Sequence, residues 1–282
     1  MESNVNSMDL ACHDAQSPMS PGPLVRIAYG MLAVDIAPSA GGRIAQITCD
    51  HVAWLVGHDE GNEAMIAWGS YPMLPWAGRI RHGRFHFRGR DYQLPLNFGS
   101  HAIHGFAFGM PWWIDAHSPT HVDLSLPLPE DESWPFGGVA RQRIEVSQDR
   151  LRMTLSLTAG EQPMPASIGW HPWFRKPDRV EFAPTRMYPR DAEGIATLPL
   201  IDPPQGPWDD CFLNDKPVFI HREGQRIRLT SNCDHWVVYD ETDHATCIEP
   251  QSGPPDAFNL APTQSFSPGS TLSAWFELEW MS

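Results

Sequence analysis

Apolar side chains recur at every second position through much of this chain. In "RIEVSQDRLRMTLSLT", Ile144 and Val146 alternate into a Ser-Gln-Asp turn, and Leu151, Met153, Leu155 and Leu157 alternate out of it. A period of two gives each strand one face for a core and one for solvent, and a turn between two such runs makes a β-hairpin. "GRFHFRGRDYQL" repeats the device with Phe85, Phe87 and Tyr92 about an Arg-Gly-Arg-Asp turn, and "PVFIHREGQRIRLT" bends at Glu223-Gly224. The same reading predicts strands at 24–29, 31–36, 43–49, 51–56, 235–240, 245–249 and 271–280. No stretch sustains the stripe of an amphipathic helix. The twenty-eight prolines and twenty-two glycines argue the same way, since both interrupt helices. The Pro-rich pieces 127–135, 199–207 and 250–255 read as loops and separate no compositionally distinct halves. The expected fold is all-β: one large antiparallel sandwich over residues 23–282 behind a flexible tail, residues 1–22.

Composition narrows the partners. Of 282 residues, 41 % are hydrophobic and 19 % charged, as in a globular protein, and β sandwiches reach this length as one domain. Twelve Trp, thirteen Phe and five Tyr can fill a wide core and leave flat faces for a ligand. Twenty basic against thirty-four acidic residues give a formal charge of −14, which repels nucleic acid and anionic lipid. The expected partner is a neutral small molecule, with no nucleic acid and no membrane; a monomer and a homodimer both fit. Cysteines 12, 49, 211, 233 and 247 form no CxxC pattern and are odd in number, which points to reduced thiols and a cytoplasmic setting. The first residues carry neither the basic cluster nor the apolar run of a secretory leader, and no apolar run is long enough to span a bilayer.

Polar groups, glycine and aromatics concentrate in "YPMLPWAGRIRHG" (71–83), "NFGSHAIHGFAFGMPWW" (97–113), "SIGWHPWFR" (167–175), "WDDCFLN" (208–214) and "CIEPQSGPPDAFN" (247–259). In order and wording these resemble the aldose 1-epimerase (galactose mutarotase-like) family. "LPWAGRI" is similar to that family's Pro-Phe-Ala-Asn-Arg-Ile stretch, "IHGF" to its His-Gly segment and "GWHPWF" to its His-Pro-Tyr-Phe element. "DDCF" is similar to its Asp-x-x-Phe element, and "IEPQSGPPDAFN" to its Glu-Pro…Pro-Asp-Ala-Phe-Asn segment. Five motifs in the family's order carry far more weight than any one of them. Trp76, Gly78 and Phe106 depart from the family's commoner residues.

The resemblance implies a β supersandwich without cofactor or metal. It also implies a catalytic acid at His171, a catalytic base at Glu249, and sugar contacts from Arg79, His104 and Asp209. Interconverting the α and β anomers of a hexose means opening a cyclic hemiacetal: one group takes the proton of the C1 hydroxyl while another protonates the ring oxygen. A carboxylate and an imidazolium on opposite sides of the sugar are the expected arrangement. Pro172 restricts His171 to extended backbone, and Pro250 is expected to stop the ladder so that Glu249 stands at a rim. Trp170 and Trp173 are candidate platforms for the apolar side of the pyranose, although alternation prevents all the neighbouring aromatics from facing it. Asp209 and Asp210 are adjacent, so only one is expected in the site. A histidine among aromatics is commonly a packed core residue; the company of Glu249 and Asp209 favours the working role. His101 and His104, with His171, suggest a zinc site, but strand spacing does not put His101 and His104 on one face. Alternatives are a hexose-6-phosphate mutarotase, for which the arginines at 79–90 would supply the phosphate contacts, and a non-catalytic carbohydrate-binding protein.

Overall fold

A computed structural model of the chain describes residues 14–60, 63–260 and 264–281. Two antiparallel sheets dominate it. The larger, ten-stranded sheet runs in the order Val25–Tyr29, Leu32–Ala37, Arg43–Cys49, Ser70–Met73, Gly169–Arg175, Ala245–Gln251, His235–Tyr239, Asp209–Leu213, Arg186–Tyr188, with Val52–Ala53 added beside Arg43–Cys49. The second has eight strands: Trp113–His117, His121–Pro127, Val139–Val146, Arg150–Thr158, Thr271–Met281, Gln225–Ser231, Val218–Arg222 and Arg179–Glu181. Among the described residues, helix is confined to two short 3-10 turns, Arg81–Gly83 and Ala107–Gly109. No described helix is long and apolar enough to cross a membrane.

The eight-stranded sheet shows the alternation at its plainest. Leu151, Met153 and Leu155 pair with Leu278, Phe276 and Ala274 on the buried face. On the other face Arg150 meets Glu279 at 2.6 Å and Arg152 meets Glu277 at 3.0 Å, so part of the acid excess is spent on exposed cross-strand pairs. The three predicted hairpins all form, with Arg88-Gly89 and Glu223-Gly224 at positive φ in two of the turns, as tight two-residue bends require.

The larger sheet differs because its centre is covered on both faces. Every residue of Ala245–Gln251 is buried, and all of Gly169–Arg175 except Arg175. Trp170, Phe174 and Ile248 face the eight-stranded sheet and join the main core, while Tyr71, Trp173 and Cys247 face the other way into a second cluster with Phe108 and Ile103.

Two expectations change. Of the predicted strand 51–56, Val52–Ala53 pairs beside Arg43–Cys49 and Leu55 makes only an isolated bridge to Phe174, with the Gln46 side chain accepting from Leu55 N–H and donating to Leu55 O. Residues 14–22 of the expected tail are not loose. Ala15 is fully buried, donates to Asn97 O and accepts from Ile66 N–H, while Ser17 O and Glu63 O take the Met65 and Met19 amides. The rest of that tail lies outside the described residues.

Candidate active site

His171 and Glu249 meet across neighbouring strands. The register pairs Gly169 with Gln251 and Trp173 with Cys247, which sets position 171 opposite position 249. Between those pairs the ladder lapses, and Pro172 and Pro250, which have no N–H to donate, lie in the gap. Alternation turns His171, Trp173, Cys247 and Glu249 to the same face. His171 Nε2 lies 3.2 Å from Glu249 Oε1, both side chains buried, on the floor of a cavity of about 320 Å³, a size suited to a small ligand. Glu249 therefore does not stand at a rim. Pro250 interrupts pairing with the Gly169–Arg175 strand only, and on the other side Pro250 and Gln251 continue the ladder with Trp236 and His235. The Gln251 amide in turn donates to Glu249 Oε2 at 3.1 Å, which holds the carboxyl in place.

The His171 ring sits in an aromatic column. Tyr71 stacks on it at 4.8 Å and Trp173 at 5.5 Å, with His104 edge-on at 5.0 Å. One carbonyl anchors both stacking rings, since Tyr71 Oη and Trp173 Nε1 each donate to Ile66 O. Behind Tyr71 lies Arg43, fully buried, its guanidinium donating to the carbonyls of Ala40, Met65, Trp68 and Phe108 and resting against the Trp68 and Tyr71 rings.

Burial decides the charge of the pair. It pulls His171 down to about 3, with the Arg43 cation adding to the effect. It pushes Glu249 well above the ordinary carboxyl range, helped by Asp209 and opposed by the Gln251 hydrogen bond and Arg79. Both groups thus favour their uncharged forms, which together hold one proton, the same number as a carboxylate facing an imidazolium. His104 is also held well below its ordinary value, by burial first and by His171 next. Its Nδ1 accepts from Gly78 N–H at 3.3 Å, so the neutral ring carries its proton on Nε2, free to donate.

The "IHGF" segment turns on two left-handed residues, His104 at φ 56° and Gly105 at φ 72°. A Cβ on Gly105 would lie 1.8 Å from Leu74 O, so only glycine fits. Gly105→Ala is expected to destabilise the protein by about 2–4 kcal/mol, read as a lowered urea midpoint with an unchanged slope. Gly78 is likewise required, at φ 71° with a Cβ position 2.7 Å from Pro255. The other two departures from the family wording, Trp76 and Phe106, pack edge-to-face at 6.0 Å in the main core and not on the cavity.

Arg79, His104, Asp209 and Trp173 all line the cavity with His171 and Glu249. Trp170 does not. One position along the strand, it faces the opposite side, where its Nε1 donates to Gln142 Oε1 and its ring packs on Phe276. Trp173→Ala is accordingly expected to weaken binding of the cavity's ligand roughly tenfold, about 1.4 kcal/mol, while Trp170→Phe lowers stability and leaves that binding unchanged. Asp209 and Asp210 both reach the cavity wall. Arg190 is the reason: it binds both carboxylates from a loop that follows Arg186–Tyr188, a partner that local alternation does not reveal. Arg190, Gln251, Tyr71 and Arg43 were not singled out by sequence. Gln251 alone carried a usable signal, two positions after Glu249 and so on the same face.

The arginines at 79–90 do not converge. Arg81 is tied to Asp191 and Glu193, and Arg84, Arg88 and Arg90 are exposed on or beside their hairpin. Only Arg79 of that run lines the cavity. His101 also stands apart, stacked on His82, whose N–H donates to its Nδ1.

Fold and site together define an all-β sandwich protein with a buried imidazole–carboxyl pair on a cavity of about 320 Å³. The aldose 1-epimerase family profile matches residues 34–279, and the chain belongs to that family. It is 30 % identical over 151 residues to the uncharacterized protein YphB of Escherichia coli strain K12, a match covering 52 % of this chain and 50 % of that one. A second relative, the uncharacterized YihR of the same strain, is 27 % identical over 157 residues, so the match spans about half the length of these curated relatives. In three dimensions the chain is similar to a galactose mutarotase-like protein from Clostridium acetobutylicum (TM-score 0.82, 17 % identity, 92 % of this chain and 95 % of that one). It is also similar to galactose 1-epimerase from Lactobacillus acidophilus NCFM (TM-score 0.77, 16 % identity, 94 % and 97 % covered). At these identities the likeness is one of fold, the galactose mutarotase-like supersandwich.

Proposed function

We propose that this protein interconverts the α and β anomers of a neutral hexose by proton transfer between the sugar and the His171–Glu249 pair. The observation that carries the reading is the 3.2 Å approach of these two buried groups on the cavity floor. The C1 hydroxyl oxygen and the ring oxygen are bonded to the same carbon, so a proton donor and a proton acceptor serving them belong side by side. That replaces the expected arrangement on opposite sides of the sugar. The pair holds one proton. One member takes the C1 hydroxyl proton as the other protonates the ring oxygen, the C1–O5 bond breaks, and the open aldehyde rotates about C1–C2. Closure on the other face runs both transfers backwards and returns the pair to its starting state. Glu249 acts as base and His171 as acid when the proton rests on the imidazole. His104 Nε2 and Arg79 donate to sugar oxygens, Asp209 accepts from hydroxyls, and Trp173 offers a flat apolar face.

Charge favours an unphosphorylated substrate. Asp209, Asp210 and Glu241 line the cavity against Arg79 and Arg190, and Arg190 is already bound to both aspartates. Polarimetry of freshly dissolved α-glucose, α-galactose and glucose 6-phosphate tests this. Faster mutarotation of a neutral sugar is expected, with little effect on the phosphate ester. The reverse preference would point to the hexose-6-phosphate alternative, and calorimetric sugar binding without acceleration would make the protein a binder.

A further inference from the structure

We propose that His171 and Glu249 on the cavity floor, with Cys247 buried beside them, also bind a thiophilic divalent cation of the zinc class, and that cation and sugar exclude one another. An imidazole nitrogen, a thiol sulfur and a carboxyl oxygen from these residues all lie within 4.8 Å of one another, and among the described residues theirs is the one such grouping. Strand geometry brings them together. Cys247 and Glu249 are two apart on one strand, and His171 stands opposite Glu249 on the next.

Zinc takes nitrogen, sulfur and oxygen ligands at about 2.0–2.3 Å, which separates ligand atoms in a tetrahedral site by roughly 3.3–3.7 Å. His171 Nε2 and Glu249 Oε1 are already at 3.2 Å. Closing the widest pair from within 4.8 Å needs side-chain movement of about 1 Å. The Gln251 amide occupies Glu249 Oε2 and leaves Oε1 for the cation, the outer support that metal-binding carboxylates ordinarily have. Cys247 is a free thiol, buried, with its proton to lose on binding. The sulfur and imidazole donors select zinc, cobalt or cadmium over magnesium and calcium, which prefer oxygen. His171 and Glu249 line the cavity and Cys247 is fully buried beside them, so a fourth ligand would reach the cation from the cavity side. A cation there uses the same imidazole and carboxyl lone pairs that proton transfer requires, so it acts as an inhibitor and not as a cofactor.

The test uses Co²⁺ as a spectroscopic probe on the full-length protein, kept reduced in a non-chelating buffer. One Co²⁺ per chain and a sulfur-to-cobalt charge-transfer band in the near ultraviolet are expected, with the band chased by Zn²⁺. It should be lost in Cys247→Ser and Cys247→Ala and kept in Cys49→Ser. Absence of the band in the wild type overturns the site without any variant, and so does its persistence in a folded Cys247 variant. A second arm rests on the epimerase reading. Zn²⁺ at ten times its dissociation constant should raise the apparent KM for sugar about 11-fold with kcat unchanged, as mass action requires of a competitor. A band without competition overturns the shared floor. A band in a protein that accelerates no mutarotation sinks the epimerase reading and leaves the cation site standing.

Discussion

On the proposed epimerase reading, Glu249→Gln is expected to remove nearly all anomerisation while sugar binding and fold stay in place. Glutamine has the size of glutamic acid and can still accept from the Gln251 amide, which now holds Glu249 Oε2 at 3.1 Å. What it cannot do is gain or lose a proton at the floor of the cavity. Loss of one positioned acid–base group costs about 10²–10⁴ in rate. His171→Asn should cost a similar factor, and the double variant little more than either single one, because the two groups share one proton and act as a unit. Polarimetry of a freshly dissolved α-anomer measures the rate, and calorimetry measures the binding. An unchanged rate in Glu249→Gln would remove the carboxyl from the chemistry.

The same substitution carries a second readout. Burial raises Glu249 well above its ordinary value, so the folded state holds this proton more tightly than the unfolded chain does. That contribution is fully present below the unfolded value, about 4.3, and is lost as pH rises through the folded one. Near neutrality the native carboxyl therefore weighs against folding. Glu249→Gln should raise the melting temperature at pH 7 and lose that advantage below about pH 4. A group kept at a cost in stability fits a working role better than a structural one.

Arg43→Met destabilises the protein by about 3–5 kcal/mol, the upper range for a single substitution. Methionine fills similar space, but the carbonyls of Ala40, Met65, Trp68 and Phe108 lose their donor. A buried carbonyl left without a partner costs about 1–3 kcal/mol, and relief from burying a cation offsets part of the sum. Desolvation already pulls the Arg43 guanidinium down to about 9, a sign of how much that burial costs. Tyr71 rests on Arg43 and stacks on His171, so on the proposed epimerase reading mutarotation should fall as well. Arg43→Lys, with fewer donors in a different geometry, should be intermediate in both. Urea denaturation gives the stability change, and wild-type stability in Arg43→Met would show that the four carbonyls find other partners.

Legibility followed burial. The hairpin at 139–158 was readable residue by residue because solvent covers one of its faces and alternation is thereby forced. The strands Gly169–Arg175 and Ala245–Gln251 have almost no wet face, so a polar beat hardly marks them: the second was expected only as 245–249, and the first was singled out by motif wording and not as a strand. Trp170 and Trp173 look equivalent in "GWHPWF", yet strand direction sends one to the core and the other to the cavity. Arg190 had no local signal at all, since its partners are nineteen and twenty residues away.

By itself the amino-acid order determined the all-β class, the hairpins and the acid excess, because each of these depends on neighbours along the chain or on composition alone, while the candidate proton-moving residues came from the family resemblance. Only the tertiary structure decided that His171 and Glu249 lie side by side, buried, on one cavity wall, and that Arg43 and Arg190 back the site. Those outcomes depend on which strands lie side by side and on how far water is excluded from between them; His171 and Glu249 are seventy-eight positions apart in the chain, and His171 and Tyr71 one hundred.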